Sequence, residues 1–179
     1  MYRPGWKGTS MTAECIYEFI EKNYSEERRK HTFAVRDTAV RLAKHYKSDE
    51  KKAETAALFH DMHKRQSDIY HGGITADKMK SDYGIDDDDV LNAVRYHTTG
   101  RPGMSLLEKI IYIADVIEPG RDFPGVSKIR ELAESDIDKA CLTSMESTIE
   151  YINSKGLFLD ENTVKAKNYL KEKGGSNEQ

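Results

Sequence analysis

Between Ser105 and Pro119 the chain reads SLLEKIIYIADVIEP. Ser105 and Glu108 have the spacing of a helix capping box, and Pro119 closes the segment. Ile110, Ile111, Ile113, Val116 and Ile117 call for burial, yet Asp115 stands among them. A carboxylate buried there without a partner would be costly, so it requires a cation or a dense set of donors.

The remainder of the sequence predicts an all-α fold. Gly and Pro fall almost entirely in short clusters, and the stretches between them carry apolar residues at helical spacing with few alternating β-branched runs. Helices are expected at about 13–22, capped by Thr12, and about 26–46, capped by Ser25. The second turns Phe33, Val35, Ala39, Val40, Leu42 and Ala43 inward. Further helices are expected at about 50–63, 71–83 (stopped by Gly84), 87–97, 106–118, 127–133, 136–153 and 163–172. A single domain over residues 1–179 follows from the length, with loose ends at 1–11 and 173–179.

Composition removes several function classes. The 28 basic side chains nearly balance 31 acidic ones, which argues against a general nucleic-acid binder. No apolar run approaches the ~20 residues needed to cross a bilayer, and MYRPGWKGTS lacks the apolar stretch of a signal peptide. A cytoplasmic protein without a membrane partner is expected. Cys15 and Cys141 are too few for a disulfide framework or zinc ribbon and are expected as two buried thiols. Asp86 to Asp89 are expected to cap a helix and complement its dipole, because calcium loops alternate their carboxylates with other residues.

The informative residues are the His and Asp that interrupt apolar faces. His31 lies early in the second predicted helix, and His60-Asp61 end the third in AALFHDMHK. His71 opens the fourth, His97 ends the fifth, and Asp115 lies in the sixth. Repetition across five helices points to a shared metal. His60 and Asp61 point about 100° apart on a helix, so both reach one ion only where neighbouring helices pack against that end. His45 lies fourteen residues beyond His31, or ~21 Å of helix, and is assigned to a solvated helix end. His63 is expected at the surface or in support of the site, with the cleft as the alternative.

His and Asp donors without thiolate suit iron, manganese, cobalt or zinc. Six ligands exceed what one catalytic ion with open positions takes, but they serve two. Asp61 is then the natural bridge between ions ~3.5–4 Å apart. For a phosphate-bearing substrate, Lys64 lies one turn beyond His60 on the same face. Thr98, Thr99 and Arg101 follow His97, and Arg121 follows Asp115 beyond a Pro-Gly turn, where a guanidinium could clamp phosphate.

The succession His31, His60-Asp61 and Asp115 resembles the HD-domain superfamily of metal-dependent phosphohydrolases, and His71 and His97 look like its binuclear branch. More narrowly, HGGITADKM, AVRYHTTGRPGMSLLEKIIYIADVIEPGRDFPGV and IRELAESDIDKA are similar to the bacterial YqeK family of symmetrical diadenosine tetraphosphate hydrolases. The resemblance implies an HD-domain helical bundle with two metal ions, iron foremost, and cleavage of diadenosine tetraphosphate into two ADP. It also hints at a homodimer. It implies His31, His60, Asp61 and Asp115 around one ion, and His71 and His97 with the shared Asp61 around the other. Asp61 and Lys64 are the expected catalytic residues. The link from Asp61 to His71 is shorter than is usual in that family, and Met62-His63 replaces the commoner aromatic and small residues. Three alternatives stay open. A mononuclear HD nucleotidase would hold one metal, a nucleotide-sensing module would bind without turnover, and a di-iron oxygenase would have little use for Lys64 and the arginines.

Overall fold

The computed structural model describes residues 13–64 and 69–175, which form nine helices and no strand. Thr12, the expected loose end at 1–11 and residues 176–179 lie outside the described residues. The helices are α1 (Ala13–Asn23), α2 (Glu26–His45), α3 (Glu50–Phe59), α4 (His71–Tyr83), α5 (Asp88–Arg95), α6 (Leu106–Ile117), α7 (Val126–Ser135), α8 (Ile137–Lys155) and α9 (Glu161–Gly175).

The apolar segment identified first is the hub of the bundle. α6 packs against α2, α3, α5, α7 and α8, and it buries Leu107, Ile110, Ile111, Tyr112, Ile113, Ala114 and Ile117. Its start is the expected capping box. Ser105 Oγ accepts from the Glu108 amide at 3.1 Å, and Glu108 Oε1 accepts from the Ser105 amide at 3.2 Å. Glu108 is itself buried, and Arg101 clasps both its oxygens at 2.7 and 2.6 Å. One carboxylate thus caps a helix and fixes the loop before it.

Several element ends differ from expectation for local reasons. α3 stops at Phe59, because the chain tightens into i→i+3 bonds from Met62 N to Phe59 O (2.8 Å) and from Lys64 N to Asp61 O (3.0 Å). α5 stops at Arg95, so His97 occupies a turn closed by Gly100 N to Tyr96 O at 2.8 Å. α9 runs through 173–175, where a loose end was expected, and Lys173 is tied to Asp138 at 3.0 Å. In α2 the buried stripe is Thr32, Val35, Thr38, Ala39, Leu42 and Ala43. Phe33 and Val40 sit off that stripe and are half-buried, Phe33 stacking on Tyr17.

The acidic run behaves as an N-terminus. Asp87 accepts from the amides of Asp89 and Val90, and Asp86 and Asp87 pair with Lys80 and Lys52 at 2.8 Å each. Cys141 is buried, whereas Cys15 is only half-buried. Among the described residues no helix is long and apolar enough to cross a membrane.

Ser105→Ala removes the cap and a 2.6 Å hydrogen bond to Asp89, and it is expected to destabilise the protein by about 1–2 kcal/mol. Urea denaturation followed by circular dichroism measures this directly, and an unchanged midpoint would show that α6 does not depend on its cap.

Candidate metal centre

Six side chains from five helices and their ends converge beside the buried face of α6. His31 comes from α2, His60 is the C-cap of α3, and Asp61 follows it in the turn. His71 is the first residue of α4, His97 follows α5, and Asp115 lies in the last turn of α6. The early end of α3 places the adjacent His60 and Asp61. Both occupy tight turns rather than a continuing helix, so their side chains reach the same cluster.

The same local device orients two of the imidazoles. Nδ1 of His60 donates to Ala57 O at 2.6 Å, and Nδ1 of His97 donates to Val94 O at 2.7 Å. Each bond runs three residues back into the helix just ended, and each leaves Nε2 as a bare lone pair. For His60 burial is the largest effect on the ring and lowers its pKa to about 4, so the neutral form is favoured.

Asp61 divides its two oxygens between two sets of histidines. Oδ1 faces Nε2 of His71 at 2.8 Å and of His97 at 3.4 Å. Oδ2 faces Nε2 of His60 at 3.7 Å and of His31 at 3.9 Å. The imidazoles also approach in pairs, His71 to His97 at 3.0 Å and His31 to His60 at 3.3 Å between Nε2 atoms. Asp115 Oδ1 completes the second group, 3.3 Å from His31 Nε2. Asp61 Oδ1 is buried yet accepts no well-formed hydrogen bond, despite His71 Nε2 at 2.8 Å. Lone pairs brought together in this way repel unless a cation lies among them. The trios His31–His60–Asp61, His60–His97–Asp115 and Asp61–His71–His97 each have ligand atoms within 4.8 Å of one another. This nitrogen and oxygen donor set fits a divalent transition metal.

Burial alone would raise the pKa of both carboxylates, but their surroundings win. For Asp61 burial is the largest effect and raises the pKa, but the imidazoles of His60, His71 and His97 around it together bring it well below the usual carboxylate range. Asp115 is also driven far down, burial being opposed by the His31 bond, the His60 imidazole and the Arg121 guanidinium. His31 moves the other way. Burial is the largest effect and lowers its pKa, but Asp115 and Glu118 together raise it above the ordinary value.

The residues expected to meet substrate are placed unevenly. Lys64 Nζ donates to Asp61 Oδ2 at 2.8 Å with its side chain 38% exposed, so it joins the cluster to solvent. Arg121 folds back onto the site, donating to Asp115 O at 2.8 Å and Oδ1 at 2.5 Å. Arg101 is held by Glu108 and lies over the Tyr96 ring. Thr98 and Thr99 donate to the carbonyls of Ile69 and Gly100. His63 stacks on Tyr83, and its amide approaches Thr75, which gives it a supporting position. His45 is exposed at the end of α2 and meets Glu134 O, as expected.

Three contributors were not foreseen. Arg28 reaches from α2 to the carbonyls of Asp61 and Met62 while stacking over Tyr24. Glu118 meets His31 Nδ1 at 3.3 Å. Gly72 lies so close to α5 that an added Cβ would stand 2.7 Å from the carbonyl oxygens of Val94 and Arg95, and 3.2 Å from His97 Nδ1. The bare backbone at Gly72 is what lets His71 and His97 approach. A buried His followed by Gly-Gly was the available signal.

Residues 28–120 match the HD domain family, an interval that holds all six converging side chains. The chain belongs to this family. Three relatives bear the name symmetrical bis(5'-nucleosyl)-tetraphosphatase. The Bacillus subtilis protein is 37% identical, the match covering 89% of this chain and 98% of the relative. The Halalkalibacterium halodurans protein is 40% identical over 86% and 94%, and the Staphylococcus aureus protein 35% identical over 89% and 94%. The chain also superposes on a Clostridium acetobutylicum structure described as a predicted HD superfamily hydrolase involved in NAD metabolism, with a TM-score of 0.85. That structure is 42% identical, and the match covers 92% of this chain and all of its own.

Gly72→Ala is expected to push α4 from α5, to cost about 1–3 kcal/mol and to weaken metal uptake. Gly73→Ala is the control, since its Cβ would meet only Arg95 Nη1 at an ordinary 3.6 Å. Equal metal content in the two variants would show that the approach at Gly72 does not hold His71 and His97 together.

Proposed function

We propose that this protein hydrolyses diadenosine tetraphosphate symmetrically, into two ADP, using two divalent transition-metal ions, with iron the favoured metal. His31, His60, Asp61 and Asp115 would hold one ion; His71 and His97, with the shared Asp61, would hold the other. The observation that carries this reading is the division of Asp61, each oxygen turned toward its own pair of imidazoles. The substrate is supported by the relatives that bear this activity in their names.

When bound, divalent ions at this centre supply Lewis acidity toward water and phosphoryl oxygens. The chain's own groups set the geometry. Asp61 stays ionised in the buried cluster and is held from behind by Arg28 on its main-chain carbonyl. Lys64 places an ammonium at the exposed edge of Asp61 Oδ2, where it meets the polyphosphate and offsets charge gathering on the leaving ADP. Arg121 keeps Asp115 turned inward, and Thr98, Thr99 and Arg101, which follow His97 in the chain, would meet the substrate beyond it. One water adds to an inner phosphorus as the central bridging P–O bond breaks; the water's oxygen stays on one ADP, the bridging oxygen leaves on the other, and the water's protons pass to solvent. No protein nucleophile is needed.

Protein loaded with ferrous or manganous ion under anaerobic conditions is expected to convert diadenosine tetraphosphate to ADP alone, read by anion-exchange chromatography. Formation of ATP with AMP would contradict the reading, and release of AMP from NAD in its place would move the function to that dinucleotide. Asp61→Ala should lose bound metal and at least about 10²–10³-fold in turnover, whereas Lys64→Met should keep its metal and lose about 10²-fold in kcat/KM. A Lys64→Met enzyme with wild-type kinetics would remove Lys64 from the chemistry.

A further inference from the structure

Glu118 is almost fully buried, at 5% exposure, and both its oxygens have partners. Oε1 stands 3.3 Å from His31 Nδ1, and Oε2 accepts from the Gly120 amide at 2.5 Å. Arg130 of α7 clamps the surrounding turn, donating to the carbonyls of Ile117 and Glu118 at 3.0 Å and of Arg121 at 2.8 Å. Gly120 lies directly under the carboxylate, and a Cβ added there would stand 3.0 and 3.1 Å from its two oxygens.

This arrangement separates His31 from two other imidazoles of the cluster. Nδ1 of His60 and His97 is met by a neutral main-chain carbonyl, whereas Nδ1 of His31 is met by a carboxylate. A carboxylate on the far nitrogen fixes the tautomer, directs Nε2 inward and makes the imidazole a stronger donor to a cation. Here Nε2 is aimed at His60 and Asp115, 3.3 Å from each.

We infer that Glu118 is a positioning residue acting through His31, and that it strengthens the ion position bounded by His31, His60 and Asp115. The inference rests on the two-ion reading above. The position between His71 and His97 gains nothing from Glu118, so neutralising that carboxylate should weaken one position and spare the other. Glu118→Gln keeps the shape and loses the charge. Gly120→Ala keeps the charge and shifts the carboxylate by a few tenths of an ångström, so it should give the same pattern more weakly.

The test is titration of metal-depleted protein with Mn²⁺ alone, free ion being read by electron paramagnetic resonance, with circular dichroism and thermal unfolding of each metal-free variant alongside. Wild-type protein should take two ions. Glu118→Gln should raise one dissociation constant about 10- to 100-fold and leave the other within about twofold, at unchanged fold and metal-free Tm. Two unchanged constants, or equal weakening of both, would overturn the inference. A metal-free Tm that falls in Glu118→Gln while Gly120→Ala leaves both constants at wild-type values would also overturn it, since Glu118 would then act on the fold alone. A wild-type protein that takes one ion would defeat the two-ion reading instead, and the effect of Glu118→Gln on that single constant would still decide whether Glu118 acts through His31.

Discussion

The structure depends on keeping one ionised carboxylate, Asp61, inside a ring of imidazoles. With 4% exposure it has little water to solvate it, and Oδ1 has no well-formed hydrogen bond. Lys64 meets Oδ2 from the open side, but Oδ1 lies among imidazole nitrogens whose lone pairs cannot offset its charge without a cation. The bundle therefore solves a packing problem and an electrostatic one at the same place. α6 provides the apolar mass that holds α2, α3 and α5 together, and its last turn delivers the second carboxylate, Asp115, to the same cluster.

Around that cluster the supporting groups act in layers. Main-chain carbonyls set the rings of His60 and His97, Glu118 sets His31, and Arg28 holds the turn that carries Asp61. Arg121 and Lys64 meet Asp115 and Asp61 from the open side. Much of this positive charge belongs to neighbouring turns and helix ends. The centre is thus stiffened by short-range contacts, which favours a fixed geometry for an ion and for the phosphate it meets.

The fold and the six converging side chains were readable because their signals are local. Helical spacing, the Ser105–Glu108 capping box and Gly84 mark the elements, and a carboxylate at Asp115 in an apolar helix declares that it needs a partner. What was not readable depends on which helices touch. Gly72 looks like a loose start to α4 until α5 is seen lying across it. Glu118 reads as an ordinary residue before Pro119 until α2 brings His31 beside it. Arg28 reads as one more charge in EERRK until the turn after α3 offers it two carbonyls. Arg101 and Arg121 were read as candidates to meet phosphate, and sequence does not show that they also pair with Glu108 and Asp115. The early stop of α3 was equally hidden, since it ends in i→i+3 turns with no Gly or Pro to mark them.

The central claim is that Asp61 bridges two ions. Anomalous diffraction from crystals of the protein grown with Mn²⁺ tests it most directly. The account predicts two peaks ~3.5–4 Å apart, one beside His71 and His97 and one beside His31, His60 and Asp115, each joined to a different oxygen of Asp61. A single peak, or two peaks of which only one touches Asp61, would contradict it.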